Sequence, residues 1–398
     1  MFETLASPKL DGIIALMQAF AEDPRSDKVD LGVGVYRDAG GRTPVMRAVK
    51  AAEKKILEIQ DSKSYLSLAG DQAFLDAMTG LLLGKTVVRD RVACVGTPGG
   101  TAAVRQICEL IRRANPDAVI WVSAQTWPNH MPLIAAAGLE SRRYRYLDVD
   151  SGALDREGFF ADLAQVCRGD VVLLHGCCHN PTGVDPTLQD WAEIAALLDR
   201  SGAVPFVDMA YQGFGAGIEA DAAGLRLLAA QLPEVLVAAS CSKNFGLYRE
   251  RVGLAMAIVP EDRRGALAGT LAGLNRQNFA FPPDHGGRVV STILGDTGLR
   301  DLWERELEEM RLRVAENRRA LADALRVATG SDRFGFVAGQ QGMFSLLPLS
   351  PEAVEKLRAE AGIYMLGDGR VNMAGLDAAG IAATARGLAK LLSESQAN

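Results

Sequence analysis

Between residues 90 and 260, short runs of valine, leucine and isoleucine alternate with segments whose apolar positions recur every three or four residues. The runs at 92–95, 118–123, 171–178, 204–210, 236–240 and 254–259 are continuous, so each predicted strand is buried on both faces. Strands of that kind separated by helices form a mainly parallel sheet, the core of an α/β fold. The pattern changes at both ends of the chain. Residues 12–21 read as a short amphipathic helix leading to Val29-Asp30-Leu31-Gly32-Val33-Gly34-Val35-Tyr36, where the two glycines mark backbone that another group approaches closely. After Asp296 a long charged helix, predicted over 303–327, bridges to a mixed tail. We therefore expect a small domain built from 11–43 and 311–398 together, a large domain over 44–310, and an N-terminal arm over 1–10.

Composition and charge then narrow the class. A chain of 398 residues exceeds one typical domain and has material for a sizeable core. Its 48% hydrophobic and 23% charged residues are those of an ordinary globular protein. A net charge of −6 lacks the basic excess needed to grip nucleic acid or acidic lipid, so neither is an expected partner. No apolar run reaches the roughly 18 residues that span a bilayer. The start, Met1-Phe2-Glu3-Thr4-Leu5, has no basic segment followed by an apolar one, and a cytoplasmic protein is expected. The cysteines at 94, 108, 167, 177, 178 and 241 are too few for a disulfide framework and read as buried thiols.

The stretch His175-Gly176-Cys177-Cys178-His179-Asn180-Pro181-Thr182-Gly183 has the residue types of a metal site. As a continued strand it would put His175, Cys177 and His179 on one face and turn Cys178 away, and no Cys-x-x-Cys pair elsewhere completes a ligand set. No metal is expected. Asn-Pro-Thr-Gly is a turn signal with a helix predicted over 188–198 behind it. Ligands of open α/β sheets lie beyond the carboxyl ends of the strands. Asn180 stands at one such end, Asp208 and Tyr211 at the next, Ser240 and Lys243 at a third, and Arg251 opens another strand eight residues beyond the lysine. Pyridoxal phosphate needs an amine for its aldehyde, a carboxylate to keep its pyridine nitrogen protonated, and hydroxyl, arginine and backbone N–H groups for its phosphate.

With those residues in view, the sequence resembles the class I, fold-type I aminotransferases, most closely the aspartate and aromatic amino acid subgroup, over nearly its whole length. The segments that carry the resemblance are Gly32-Val33-Gly34-Val35-Tyr36, Thr97-Pro98-Gly99-Gly100-Thr101, Thr126-Trp127-Pro128-Asn129-His130, His179-Asn180-Pro181-Thr182-Gly183, Asp208-Met209-Ala210-Tyr211, Ser240-Cys241-Ser242-Lys243-Asn244-Phe245-Gly246 through Arg251, and Gly369-Arg370-Val371-Asn372. The resemblance implies a large domain with a mainly parallel seven-stranded sheet between helices, a smaller α+β domain, and pyridoxal 5'-phosphate as cofactor. It implies that Lys243 forms the imine with the cofactor and then shuttles the proton. Asp208 would pair with the pyridinium nitrogen, backed by His130, while Asn180 and Tyr211 would bond the ring oxygen. Gly100, Thr101, Ser240 and Arg251 would bind the phosphate, and Trp127 would stack on the ring. Arg370 would take the substrate α-carboxylate, with Gly34 and Phe344 beside the substrate. It further implies a homodimer in which Tyr65 reaches the neighbour's phosphate and Arg276 the neighbour's substrate side chain.

On substrates, Arg276 suits aspartate and glutamate, but Phe279-Ala280-Phe281 is more apolar than the polar run expected beside it in aspartate-type members. Asn275-Arg276-Gln277 resembles the aromatic-type enzymes. We expect an enzyme that moves the amino group of tyrosine, phenylalanine and tryptophan, and also of aspartate and glutamate, to 2-oxoglutarate; a dedicated aspartate aminotransferase is the alternative. A decarboxylase or lyase of the same fold would share Lys243, Asp208 and Arg251 but break a different bond. A DNA-binding regulator would need an extension longer than residues 1–11, and the lone pair of glycines at 99 and 100 is not a dinucleotide-binding fingerprint.

Overall fold

Seven strands form one sheet: β1 Val92–Pro98, β2 Val119–Ser123, β3 Glu140–Tyr144, β4 Val171–His175, β5 Val204–Met209, β6 Val235–Ser240 and β7 Val252–Ile258. The structure, a computed structural model, describes residues 2–4 and 12–397, with side chains as far as Glu394. The expected N-terminal arm therefore lies, apart from residues 2–4, outside the described residues. Across the sheet the order is β1-β7-β6-β5-β4-β2-β3, with β7 antiparallel to both neighbours and the remaining pairs parallel. Alternation along β4 sends Val172 and Leu174 into one core cluster and Val171 and Leu173 into the other, so each face carries its own helical layer. Each such buried side chain contributes about 1.5–3 kcal/mol.

Two expectations about strands need correction. β3 was not among the predicted strands, because Glu140-Ser141-Arg142-Arg143-Tyr144 has no apolar run; it lies at the sheet edge, where charge deters further pairing. The strand expected over 171–178 stops at His175. A Cβ at Gly176 would lie 2.0 Å from Met209 Sδ, and Cys178 has a φ of 52°, so the chain turns out of the sheet here.

The long helix spans Thr297–Thr329, starting earlier than predicted because the Asp296 side chain accepts the Leu299 N–H as a cap, and ending at Gly330 with a φ of 65°. Helix Ala378–Ala397 packs along it. Val29–Asp30 pairs in parallel with Ile363–Tyr364, and Phe344–Leu346 pairs antiparallel with Arg370–Asn372. Asn372 Nδ2 donates to the carbonyls of Val33 (2.6 Å) and Val35 (3.0 Å), tying the Gly32–Tyr36 segment to that second pair.

Candidate active site

Parallel register decides which side chains meet. His175 of β4 stands opposite Asp208 of β5, and Asp208 opposite Ala238 of β6, so the carboxyl ends of these strands open together. There a cavity of about 220 Å³ is lined by Gly34, Gly100, Thr101, Trp127, Asn180, Asp208, Tyr211, Ser240, Lys243 and Arg251, ten of the positions picked out from sequence. His175, Ala210, Ser242 and Tyr248 also line it and were not expected there. Tyr248 belongs to the same Ser-Cys-Ser-Lys segment, and its hydroxyl accepts the Tyr36 N–H at 3.1 Å, which joins the N-terminal segment to the cavity rim.

Asp208 lies at the floor. Burial would raise its pKa, but His130 and the charge of Lys243 prevail and hold it below the ordinary carboxylate value. His130, wholly buried, meets Asp208 Oδ2 at 3.0 Å through Nε2. Behind it a chain of contacts runs from His130 Nδ1 to Thr126 Oγ1 (2.8 Å), from that oxygen to His175 Nε2 (3.1 Å), and from His175 Nδ1 to the Asn180 N–H (3.4 Å). The ends fix two protons, since a backbone N–H only donates and a carboxylate only accepts. His175, accepting at Nδ1, is neutral and donates from Nε2–H to Thr126, and His130 donates from Nε2–H to Asp208. Burial agrees, pushing His175 down to about 3.

Lys243 Nζ sits 4.9 Å from the Tyr211 ring centroid. Desolvation lowers its pKa to about 8, with Arg251 and Arg370 acting in the same direction and Asp208 opposing. Asn180 Nδ2 donates to the Tyr211 hydroxyl at 3.4 Å, and Trp127 meets His130 edge-on at 5.2 Å. Arg370 does not line the cavity; buried next to Asn180, which does, it donates from Nη1 to Asn180 Oδ1 (3.4 Å) and from Nη2 to the Gly32 carbonyl (2.8 Å). Its guanidinium lies 4.4 Å from the centroid of the Phe344 ring, and a Cβ on Gly34 would come within 2.8 Å of that same ring. Tyr65 and Arg276 are exposed and stand apart from this cavity in the single chain; Tyr65 lines a separate hollow with Phe281.

The strand alternation predicted for the histidine–cysteine stretch does not hold, because the chain has left the sheet by Gly176. Cys178 is not turned away from Cys177: their sulfurs and an Asp221 oxygen lie within 4.8 Å of one another. Asp221 already accepts N–H groups from Gly213, Gly215 and Ala216. The hydrogen bond with Cys178 works against burial at Cys177, whose thiol still reaches about 12, and burial drives Cys178 higher. Both thiols are therefore held protonated among these buried groups.

A family model for class I and II aminotransferases matches residues 26–388. The chain belongs to that family. Members of the family work through pyridoxal phosphate. The aromatic-amino-acid aminotransferase of Paracoccus denitrificans is 53% identical over 368 residues, covering 92% of this chain and 93% of that protein. The aspartate aminotransferase of Haemophilus influenzae is 43% identical over 381 residues, 94% and 96% of the two chains. The crystal structure of the aromatic-amino-acid aminotransferase of Burkholderia pseudomallei, covalently bound to pyridoxal phosphate, superposes with a TM-score of 0.95 at 38% identity over 98% of this chain and 99% of that one.

The cavity of this aminotransferase fits that cofactor by the chemistry of its donors. At Gly99, with a φ of 81°, a Cβ would lie 2.4 Å from Arg251 Nη2, and at Gly100 it would lie 2.9 Å from Ser240 Cβ. Only glycine leaves the start of helix Gly99–Ala114 open, with its unpaired N–H groups, a guanidinium and a hydroxyl converging on one spot suited to a phosphate.

Proposed function

We propose that the protein transfers the amino group of tyrosine, phenylalanine and tryptophan, and also of aspartate and glutamate, to 2-oxoglutarate. The observation that carries this reading is the combination, at one cavity, of a lysine with a lowered pKa, a carboxylate hydrogen-bonded to a buried histidine, and a buried arginine held against Asn180 of the lining. When bound, pyridoxal phosphate supplies an aldehyde that condenses with amines and a protonated ring that accepts the electron pair left at the substrate Cα. Gly100, Thr101, Ser240 and Arg251 would hold its phosphate, Asp208 its ring nitrogen, Asn180 and Tyr211 its ring oxygen, and Trp127 would cover its face.

Lys243 Nζ, about a tenth of it uncharged at pH 7, takes the proton from the substrate Cα and returns it on the other side of the same step. Arg370 binds the substrate α-carboxylate with the planar fork that now spans the Gly32 carbonyl and Asn180. Gly34, pressed on Phe344, allows the N-terminal segment to close over the substrate and exclude water. Aromatic side chains would lie against apolar wall, while the dicarboxylates would pair with Arg276 from a second copy of the chain. The reading thus includes a homodimer, with Tyr65 and Arg276 serving the neighbouring site; their exposure in the single chain supports it. It also keeps the division into a small domain (11–43 and 311–398) and a large one (44–310), supported by the pairing of Val29–Asp30 with Ile363–Tyr364. A cytoplasmic location accords with cysteines that are free among the described residues.

Single-turnover loss of the bound cofactor's absorbance, with phenylalanine or tyrosine against aspartate, tests the specificity. Comparable specificity constants are expected; a preference for aspartate of several orders of magnitude would overturn the dual reading in favour of a dedicated aspartate enzyme.

A further inference from the structure

In its last turn, one residue before Arg276, helix Glu261–Asn278 carries Asn275 into a knot of amides. Asn275 is completely buried. Its Nδ2 donates to the carbonyls of Leu68 (2.8 Å) and Gly96 (3.0 Å), and its Oδ1 accepts from Gln106 Nε2 at 2.6 Å. Gln106 Oε1 in turn accepts from Asn278 Nδ2 at 2.6 Å. The Gly96 N–H donates to the Ala69 carbonyl at 2.7 Å, closing the knot from the other side. On the outer surface the Phe281 ring stacks on Tyr65, with centroids 4.6 Å apart and planes at 15°.

These contacts join four stretches: the loop that carries Tyr65, strand β1 just before Gly99, the helix Gly99–Ala114 that follows it directly, and the distant helix end that carries Arg276. A primary amide has two donors and an acceptor at fixed angles, and burial makes any unmatched one costly, so the four stretches satisfy Asn275 in one relative arrangement. An anchor needed only for stability could sit on any turn of the helix. This one adjoins Arg276, and its two carbonyl partners belong to the Tyr65 loop and to the strand that delivers the phosphate loop.

We propose that Asn275 is a positioning residue that holds Arg276, Tyr65 and the Gly99–Gly100 loop as one rigid unit. The inference rests on the reading that Arg276 and Tyr65 serve the neighbouring subunit. It couples two properties that sit in separate parts of the site: the grip on the cofactor phosphate and the recognition of a dicarboxylate side chain. Aromatic donors, held by Arg370 and apolar wall, do not depend on the unit.

The test uses holoenzyme at saturating pyridoxal phosphate with Asn275→Ala and Asn275→Asp, the latter keeping the shape and the acceptor but losing both donated bonds. KM for aspartate is expected to rise by about tenfold in both, as a misplaced clamp would cause, with KM for phenylalanine nearly unchanged. Cofactor dissociation from the holoenzyme should quicken, and deuterium uptake over 64–70 should rise in the cofactor-free protein. Equal losses for both donors, or Asn275→Asp behaving as wild type, overturn the proposal. Should the Asn275 variants not fold, Phe281→Leu loosens the same unit from its surface side, and unchanged cofactor release and unchanged aspartate KM in that variant overturn it equally. A wild type without aspartate turnover would instead overturn the dual specificity, and cofactor release and deuterium uptake would still decide the positioning role.

Discussion

Lys243 shows how a single side chain acquires its chemistry from its surroundings. An ordinary lysine is protonated at neutral pH and cannot attack an aldehyde; burial lowers this one to about 8. The neutral fraction at pH 7 is then on the order of a tenth, against less than a thousandth for a free side chain. The second-order rate of pyridoxal phosphate uptake by the cofactor-free protein should therefore rise with pH and level off above about 8. A stopped-flow pH series checks this, and a rate still climbing at pH 10 would show that the amine is not desolvated. Asp208 was legible from its place at a strand end. His175 was legible as a residue, but its part in the proton chain was not, because Thr126, which bridges it to His130, is 49 positions away along the chain.

At the scale of the element, the junction of β1 with helix Gly99–Ala114 depends on two glycines for different reasons. Gly99 needs both a positive φ of 81° and space beside Arg251, while Gly100 needs only space beside Ser240. Gly99→Ala should weaken pyridoxal phosphate binding by about tenfold or more, because it strains the backbone and displaces the guanidinium, with a loss of roughly 1 kcal/mol in the stability of the cofactor-free protein. Equilibrium binding and denaturant unfolding separate the two effects, and unaltered affinity would mean that Arg251 does not face the phosphate. Element identity was readable wherever burial on both faces wrote a continuous apolar run. Edge strand β3 escaped because only pairing with β2 makes it a strand, and β4 proved shorter than its apolar run because Met209 leaves no room for a side chain at Gly176.

Two consequences belong to the whole molecule. Buried His175 and His179 are both neutral in the folded state, held there by desolvation. On unfolding they regain the ordinary value of 6.5, so below it the unfolded chain binds more protons and stability falls as pH falls. The window for His175 runs from 6.5 down to about 3, with a slope of about 1.4 kcal/mol per pH unit for each histidine. Melting temperatures between pH 7 and 5 should show the fall, and His179→Asn should flatten it; an identical profile in that variant would place the acid-sensitive group elsewhere.

The proposed sharing of sites between subunits makes a second prediction. Lys243→Ala chains lack the amine and Arg276→Ala chains lack the dicarboxylate clamp, so each homodimer should be nearly inactive on aspartate. Random reassembly of equal amounts makes half the dimers hybrid, each with one intact site, and aspartate activity should return to about a quarter of wild type. No recovery would put Arg276 in its own subunit's site.

The sequence by itself determined the class of strands, the order in which functional side chains arrive at strand ends, and the family, because these depend on patterns local to a few residues. It also disclosed the tension between Arg276 and its apolar neighbours. Only the tertiary structure decided that Thr126 bridges His175 to His130, that Arg370 meets the Gly32 carbonyl, that Cys177 and Cys178 join Asp221, and that Asn275 ties the Tyr65 loop to β1 and its following helix. The physical reason is common to all of these: a buried polar group must find its partner in space, and packing brings that partner from anywhere in the chain.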